Sequence, residues 1–377
     1  MGYSAIHPTP KTSLDSTIPL PLNVDEITQQ WLENALGVRL ERAHIVQVMP
    51  GTATKIFVDI TYHPAEPIAA QTGAGPRRVC IKGGFDPLLR ELGMNSAYRR
   101  EAEFFAHIAP ALQKRNVRLP GSLYCGTDVV EGQGIVILED LIAANCTFGQ
   151  CLEPWLAPRA AVALEQLAGL HAMTWGARPV EYPWLSEVPI IEEVLKSMFS
   201  PEYWDSQFYT ENCPLGVPDH MLDRERMYDA FKTLWRTENP DLTCIVHGDC
   251  HVGNTFLSPP PAQLPGFLDF QAPQIGSAMH DVAYFLGGAL TVEDRRTHER
   301  ELLKHYLDKL HEAGGPRLGV EDVWMDYRKH HLHGFVWVLT GPRMQAKTKV
   351  DAMTERHVAA ILDHESIELL EGIAGKA

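Results

Sequence analysis

The feature that most constrains this chain is a pair of short apolar strands that each run into a polar loop. Cys244–His247 leads into Gly248-Asp249-Cys250-His251-Val252-Gly253-Asn254, and Gly266–Asp269 leads into Phe270-Gln271. Asn254 follows Asp249 by five residues, and Asp269 follows Asn254 by fifteen. A carboxylate placed where an apolar strand stops sits at the edge of a core. Two of them this close in sequence call for adjacent strand ends, and a third short strand, Thr255–Leu257, fits between them.

That residue set has a chemistry. The first carboxylate is placed to orient a hydroxyl and accept its proton. An Asn and a second Asp offer hard oxygen ligands to Mg²⁺, which neutralises phosphate charge. Composition agrees with a chain that can build such a site. At 377 residues and ~150 residues per domain, two to three domains or two lobes around one cleft are expected. Hydrophobic residues make up 45% and charged residues 21%, an ordinary globular profile. The 33 basic and 48 acidic side chains give a net charge of −15, which argues against nucleic acid as a partner but leaves room for a local basic site.

Seven scattered cysteines without a C-x-x-C pair point to reduced thiols and a cytoplasmic setting. The first residues lack a secretory pattern, and Ile6 stands where myristoylation wants Ser or Thr. The apolar stretch Val282–Leu290 is about half the ~18 residues a membrane span needs. No membrane partner is expected, and the chain reads as a monomer or homodimer.

Along the chain, residues 1–22 read as a loose arm. A helix opens at Asn23 and ends at Gly37. His44–Met49 and Lys55–Tyr62 form a hairpin around Pro50-Gly51-Thr52-Ala53-Thr54. Residues 64–76 read as a surface loop, Arg78–Lys82 as a strand, and Ser96–Leu112 as a helix. Leu123–Val130 and Gly134–Leu138 are two more strands. Pro158–Trp175 is a clear helix, and the chain from Ser277 is mostly helical. Residues 177–240 carry many aromatic rings, which either pack between helices or line a substrate pocket.

The stretch His247-Gly248-Asp249-x-His251-x-x-Asn254 with Asp269-Phe270-Gln271 resembles the catalytic and metal loops of aminoglycoside-phosphotransferase-like kinases. Within that group it is most similar to the choline-kinase-like and ecdysteroid-kinase-like branches. The resemblance spans roughly residues 44–345. It implies an α+β, two-lobed protein-kinase-like fold, with a small N-lobe of antiparallel sheet plus helix and a larger, mostly helical C-lobe. The implied boundaries are 1–43 for an arm and helix, 44–141 for the nucleotide-binding lobe and 142–377 for the catalytic and acceptor-binding lobe.

The resemblance further implies ATP and Mg²⁺ as cofactors and a small-molecule hydroxyl as phosphoryl acceptor. Asp249 is then the catalytic base, and Asn254 and Asp269 hold the metal. Lys82 holds the α/β-phosphates, with Glu101 as its ion-pair partner and Glu103 as the competing choice. Glu139, Asp140 and Leu141 resemble the hinge that pairs with adenine. Asp281 resembles the aspartate that braces the catalytic loop, and His247 is expected to brace it as well. The phosphate-covering turn departs from the pattern: it has Gly51, Thr52 and Thr54 in place of G-x-G-x-x-G. Gln271 replaces the Gly of Asp-Phe-Gly, and His251, a candidate for contact with substrate or phosphate, replaces a Lys.

Between Asp269 and Asp281 there is no room for a protein-binding activation segment, so a small acceptor is expected. Aromatic residues tilt the expectation toward a partly apolar alcohol, although a choline-like amine also suits aromatic walls. Trp324, Trp337, Arg343 and Gln345 either close the acceptor pocket or belong to the core. Two readings compete with a kinase. A nucleotide-binding pseudokinase would not need the full set of base, metal ligands and lysine. A metal-dependent hydrolase using His247, Asp249 and His251 would need a further distant histidine set, for which His330, His331 and His333 are candidates.

Overall fold

The computed structural model describes residues 14, 16–67, 77–90, 94–185 and 188–375. Most of the arm expected over 1–22, and residues 68–76 of the expected loop, lie outside the described residues. The helix read from Asn23 is divided. A single 3-10 turn, Val24–Glu26, is closed by the Glu26 carboxylate, and α1 (Gln29–Leu36) starts afresh where Thr28 accepts the Trp31 N–H. Gly37 ends α1 in the left-handed region, as glycine readily does.

Five antiparallel strands follow: β1 (Leu40–Met49), β2 (Thr54–Tyr62), β3 (Arg77–Gly83), β4 (Ser122–Asp128) and β5 (Gln133–Glu139). Their spatial order is β1-β2-β3-β5-β4. Alternation sends Ile135 and Ile137 of β5 to one face, with Ile56, Val79 and Ile81 and against Trp31 and Leu32 of α1. It sends Val136 and Leu138 to the other, against Phe104 and Phe105 of α2 (Asn95–His107). Both faces of the central strands are therefore buried. The expected helix over 96–112 breaks at Ile108, because Pro110 has no N–H to continue the ladder, and a short turn Ala109–Gln113 follows. At Gly134 the α2 backbone lies directly on β5, so that a Cβ there would collide with the Tyr98 carbonyl.

Past β5 the chain is mainly helical. β6 (Thr147–Phe148) and α3 (Ala157–Met173) come first, then α4 (Ile190–Met198), α5 (Pro201–Phe208) and α6 (Arg224–Arg236). The rings of this insert mostly pack on one another. Phe199 stacks on Trp204 at 5.6 Å, and Trp204 lies 4.2 Å from Phe208. Core packing is thus the answer for most of the aromatic stretch over 177–240.

The chemistry-bearing loops hang on four short strands: β7 (Thr243–Val246), β8 (Thr255–Leu257), β9 (Pro265–Phe267) and β10 (Gln274–Ser277). β7 pairs with β10, and β8 lies between β6 and β9. Behind them runs α7 (Ala278–Ala289), buried along its whole length, which accounts for the long apolar run there. α8 (Val292–Glu312), α9 (Val320–His330), α10 (Lys347–Asp363) and α11 (Ser366–Ala374) complete the lobe. The result is the expected two-lobed, protein-kinase-like α+β architecture. Among the described residues, no helix is long and apolar enough to cross a membrane.

Candidate active site

Asp249 sits on the loop that β7 delivers, and buried groups hold that loop from below. Asp281, fully buried on α7, accepts the N–H groups of His247 at 2.6 Å and Gly248 at 3.0 Å and meets His171 Nε2 at 3.0 Å. Burial acts to raise the Asp281 carboxyl, but the His171 hydrogen bond and charge outweigh it and hold it well below the usual carboxylate range. His247 donates from Nε2 to the Leu268 carbonyl at 3.0 Å and accepts the Asp249 N–H on Nδ1 at 3.2 Å. Both ring nitrogens are spent on the backbone, so His247 braces the loop and has no lone pair for a metal. Gly248 takes a left-handed φ of 82°, and a Cβ there would collide with the Ala272 carbonyl.

The Asp249 side chain itself keeps 37% of its surface exposed. Oδ1 accepts from the Tyr284 hydroxyl at 3.2 Å, and Oδ2 from Asn254 Nδ2 at 3.1 Å. Its surroundings push the carboxyl pKa up, chiefly through desolvation, while His247 pulls it down. Asn254 also donates Nδ2 to the Asp249 carbonyl at 2.9 Å, so its amide nitrogen is committed and its side-chain oxygen is the atom left for a ligand.

The second loop is stitched to the first. The Leu268 N–H donates to the Asn254 carbonyl at 3.0 Å, which puts Asp269 beside Asn254. Asp269 has a φ of 68°, a left-handed conformation that a side chain rarely takes. Its Oδ1 accepts from Lys82 Nζ at 2.8 Å, and the same ammonium bonds Glu101 Oε1 at 2.7 Å. Burial works against the charge on Lys82, but the two carboxylates win and raise its pKa above the ordinary lysine value. Burial likewise acts to raise Asp269, and Lys82 overrides it and holds the carboxyl below its usual range. Phe270 then turns inward, stacked on Phe104 of α2 at 3.9 Å and 4.4 Å from His247.

Glu101, and not Glu103, is the partner of Lys82. Glu103 points the other way, to the Leu14 N–H at 2.7 Å and His107 at 2.9 Å. The turn between β1 and β2 is tied to α2, where Tyr98 donates to the Thr52 carbonyl at 2.7 Å. Gly51 and Thr52 are exposed, whereas Thr54 is buried in β2 opposite Gly83. Glu139 ends β5 paired with Arg77 at 2.6 Å. Asp140 is buried and accepts the Ile142 N–H at 2.8 Å, and the Leu141 carbonyl accepts from Cys146 at 2.9 Å. These three residues form the turn that joins the sheet to the helical lobe.

The site thus brings together Lys82, Glu101, Asp249, Asn254 and Asp269. His251 lies beside it, with Nε2 3.8 Å from Asp249 and its ring 5.1 Å from Trp337. Trp324 is elsewhere, stacked on Tyr327 with Arg300 over its face at 4.0 Å, and Arg343 is exposed. Two residues escaped the sequence reading. Tyr284 lies three residues past Asp281 on α7 and so shares its face, which is the signal that could have found it. Lys55 pairs in register with Lys82, and its charge adds to the pull on Asp269.

Of the three residues of the metallohydrolase reading, His247 is committed to the backbone through both ring nitrogens. His330, His331 and His333 are buried in packing against other rings. One cluster among the described residues has metal-ligand spacing, Glu299 with His331 and His364. Arg295 donates to Glu299 Oε2 at 2.9 Å, the oxygen that His364 Nε2 also meets at 3.0 Å, so that oxygen already has a cationic partner.

Comparison with solved structures gives the same architecture at low identity. A protein from Ralstonia eutropha JMP134 assigned as an aminoglycoside phosphotransferase aligns with a TM-score of 0.50 and 15% identity, covering 91% of this chain and 98% of that one. An amicoumacin kinase, hAmiN, aligns with a TM-score of 0.51 and 13% identity over 90% and 95%. A microcompartment-associated aminopropanol kinase aligns at 0.50 and 14% over 92% and 99%. Comparison with curated proteins finds no match. The model of the ecdysteroid kinase-like family matches residues 89–314, which is more than half of the chain and includes both loops, so the chain belongs to the ecdysteroid kinase-like family.

Proposed function

We propose that the protein is an ATP-dependent kinase that phosphorylates a hydroxyl of a small organic molecule. The observation that carries this reading is the pair of hydrogen bonds that Lys82 donates to Glu101 and Asp269, with the Asp269 loop hydrogen-bonded to Asn254 and Asp249 alongside. A lysine clamped this way is positioned for phosphate oxygens by the sheet and α2, with residues 44–141 as the nucleotide-binding lobe and 142–377 supplying catalysis and acceptor binding. In this reading Glu139–Leu141, the turn between the sheet and the helical lobe, would take adenine, and the exposed Gly51 and Thr52 would cover the phosphates.

The donor set fits Mg²⁺: the uncommitted oxygen of Asn254 and the carboxylate of Asp269 are hard oxygens on adjacent loops. Bound there, the ion would neutralise phosphate charge. Asp249 orients the acceptor hydroxyl and takes its proton, and Tyr284 and Asn254 fix the carboxylate for that task. The amicoumacin kinase of similar fold is described in complex with AMP-PNP and Ca²⁺, which supports a nucleotide and a divalent cation here. The complete set also supports an active enzyme over a pseudokinase, as does the short link between Asp269 and Asp281 over a protein kinase. A cytoplasmic location suits the free thiols.

The test is a screen of hydroxylated metabolites with Mg·ATP, read as a phosphate mass shift, for the wild type and Asp249→Asn. Transfer by the wild type that drops by roughly 10²–10⁴ in the variant is expected. Transfer that is undiminished in the variant removes Asp249 from the chemistry.

A further inference from the structure

One side of β2 and β3 carries a cation without a partner. Opposed residues of antiparallel strands share a face. The register Lys55↔Lys82, Phe57↔Cys80 and Asp59↔Arg78 therefore puts these side chains on one side of the sheet. Val136 and Leu138 of β5 stand opposite Lys82 and Cys80, which makes it the side that packs on α2. Arg78 and Asp59 lie at the end next to the turn Glu139–Leu141, where Arg78 comes within 3.9 Å of Asp140. Lys55 stands ~13 Å further along β2 at ~3.3 Å per residue, beside Lys82 at the end next to Asp269.

The other two cations of this face are taken. Arg78 is forked onto Asp59 at 2.8 and 3.3 Å. Lys82 spends two of its three donors on Glu101 and Asp269. Lys55 is half-buried and makes no ion pair or side-chain hydrogen bond among the described residues. Its charge acts on Asp269, Glu101 and Cys80, so the ammonium lies on the inner side of the sheet and not out beyond β1. Steadying Asp269 does not account for it, since Lys82 already does so.

The turn before Lys55 has little to offer a phosphate. Pro50 has no N–H, the Thr52 carbonyl is tied to Tyr98, and Ala53 is buried. No residue from Gly51 to Thr54 takes a positive φ, so the backbone does not form the alternating nest of N–H groups that grips anions. A phosphate chain under this turn needs a side-chain donor, and Lys55 is the first residue past Thr54. We infer that Lys55 is a second phosphate-binding lysine, which grips the terminal phosphates of the nucleotide beside Lys82 and takes the place of backbone amides in the turn. The inference rests on the kinase reading. Lys82 contributes the one donor that it keeps, and Lys55 contributes a whole ammonium next to the Asp269 loop.

Two measurements test this without knowledge of the acceptor. In a calorimetric titration at saturating Mg²⁺, Lys55→Gln should bind Mg·AMP-PNP about 10- to 100-fold more weakly, the loss of a charge-assisted phosphate contact, and Lys55→Arg should recover most of the affinity. The second measurement uses the wild type, so a misfolded variant does not decide the matter. Lysines are acylated with an N-hydroxysuccinimide ester and read by peptide mass spectrometry. Mg·AMP-PNP should protect Lys55 and leave the exposed Lys114 reactive. Wild-type affinity in Lys55→Gln, or labelling of Lys55 that the nucleotide leaves unchanged, overturns this inference and leaves the kinase reading standing. Failure of the folded wild type to bind Mg·AMP-PNP at all overturns both.

Discussion

Lys82 shows how much one side chain can organise. A single ammonium, 4% exposed, is shared by Glu101 on α2 and Asp269 on the loop after β9. Replacing it in Lys82→Met leaves two carboxylates without a cation, so turnover should vanish and the melting temperature should drop. Breaking a buried pair costs ~3–5 kcal/mol, and the cost here should be smaller because Asp269 is 21% exposed. Thermal melts and transfer assays on the same preparation check this, and an unchanged melting temperature would show that the carboxylates do not depend on Lys82. Asp249, Asn254 and Asp269 were legible because spacing along a strand-loop unit survives folding. So were Lys82 and Glu101, each marked by its element. Tyr284 was not, since a tyrosine in an apolar helix reads as core until its hydroxyl is seen on Asp249.

At the scale of elements, α2 must lie flat on β5 for Glu101 to reach Lys82, and Gly134 is the contact that allows it. Gly134→Ala should lift the helix, cost about 1–3 kcal/mol by overpacking, and weaken nucleotide binding more than a destabilisation of that size elsewhere. Equal nucleotide affinity in the variant would separate the helix position from the site. The sheet and most helices were readable from periodicity. β10 was not, because Gln274-Ile275-Gly276-Ser277 has little strand character alone and forms by pairing with β7. The break of α2 at Ile108 was readable from Pro110 and was passed over.

At the scale of the whole molecule, a set of buried histidines is held toward the neutral form. His247, His280, His330, His331, His333 and His357 are all 0–5% exposed, and burial pushes each below its ordinary pKa. Unfolded histidine takes up a proton near pH ~6.5 and these do not, so the unfolded state binds more protons as the pH falls. Stability should therefore be full above that pH and decline below it, by ~1.4 kcal/mol per pH unit for each group still neutral in the fold. Differential scanning fluorimetry from neutral to mildly acidic buffer should show a steep fall in melting temperature, and a flat profile would mean that these rings are protonated in place. The sequence marked His330, His331 and His333 only as candidate ligands, because histidines distributed over the loop after β7, α7, α9, α10 and the intervening turn are brought into the core only in the folded chain.

The most direct test of the central claim is a calorimetric titration of AMP-PNP into the wild type and Asp269→Ala, each with and without Mg²⁺. The account predicts saturable binding to the wild type that needs the ion, and loss of that binding in the variant. Normal Mg·AMP-PNP affinity in Asp269→Ala, or no binding by a folded wild type, would contradict it.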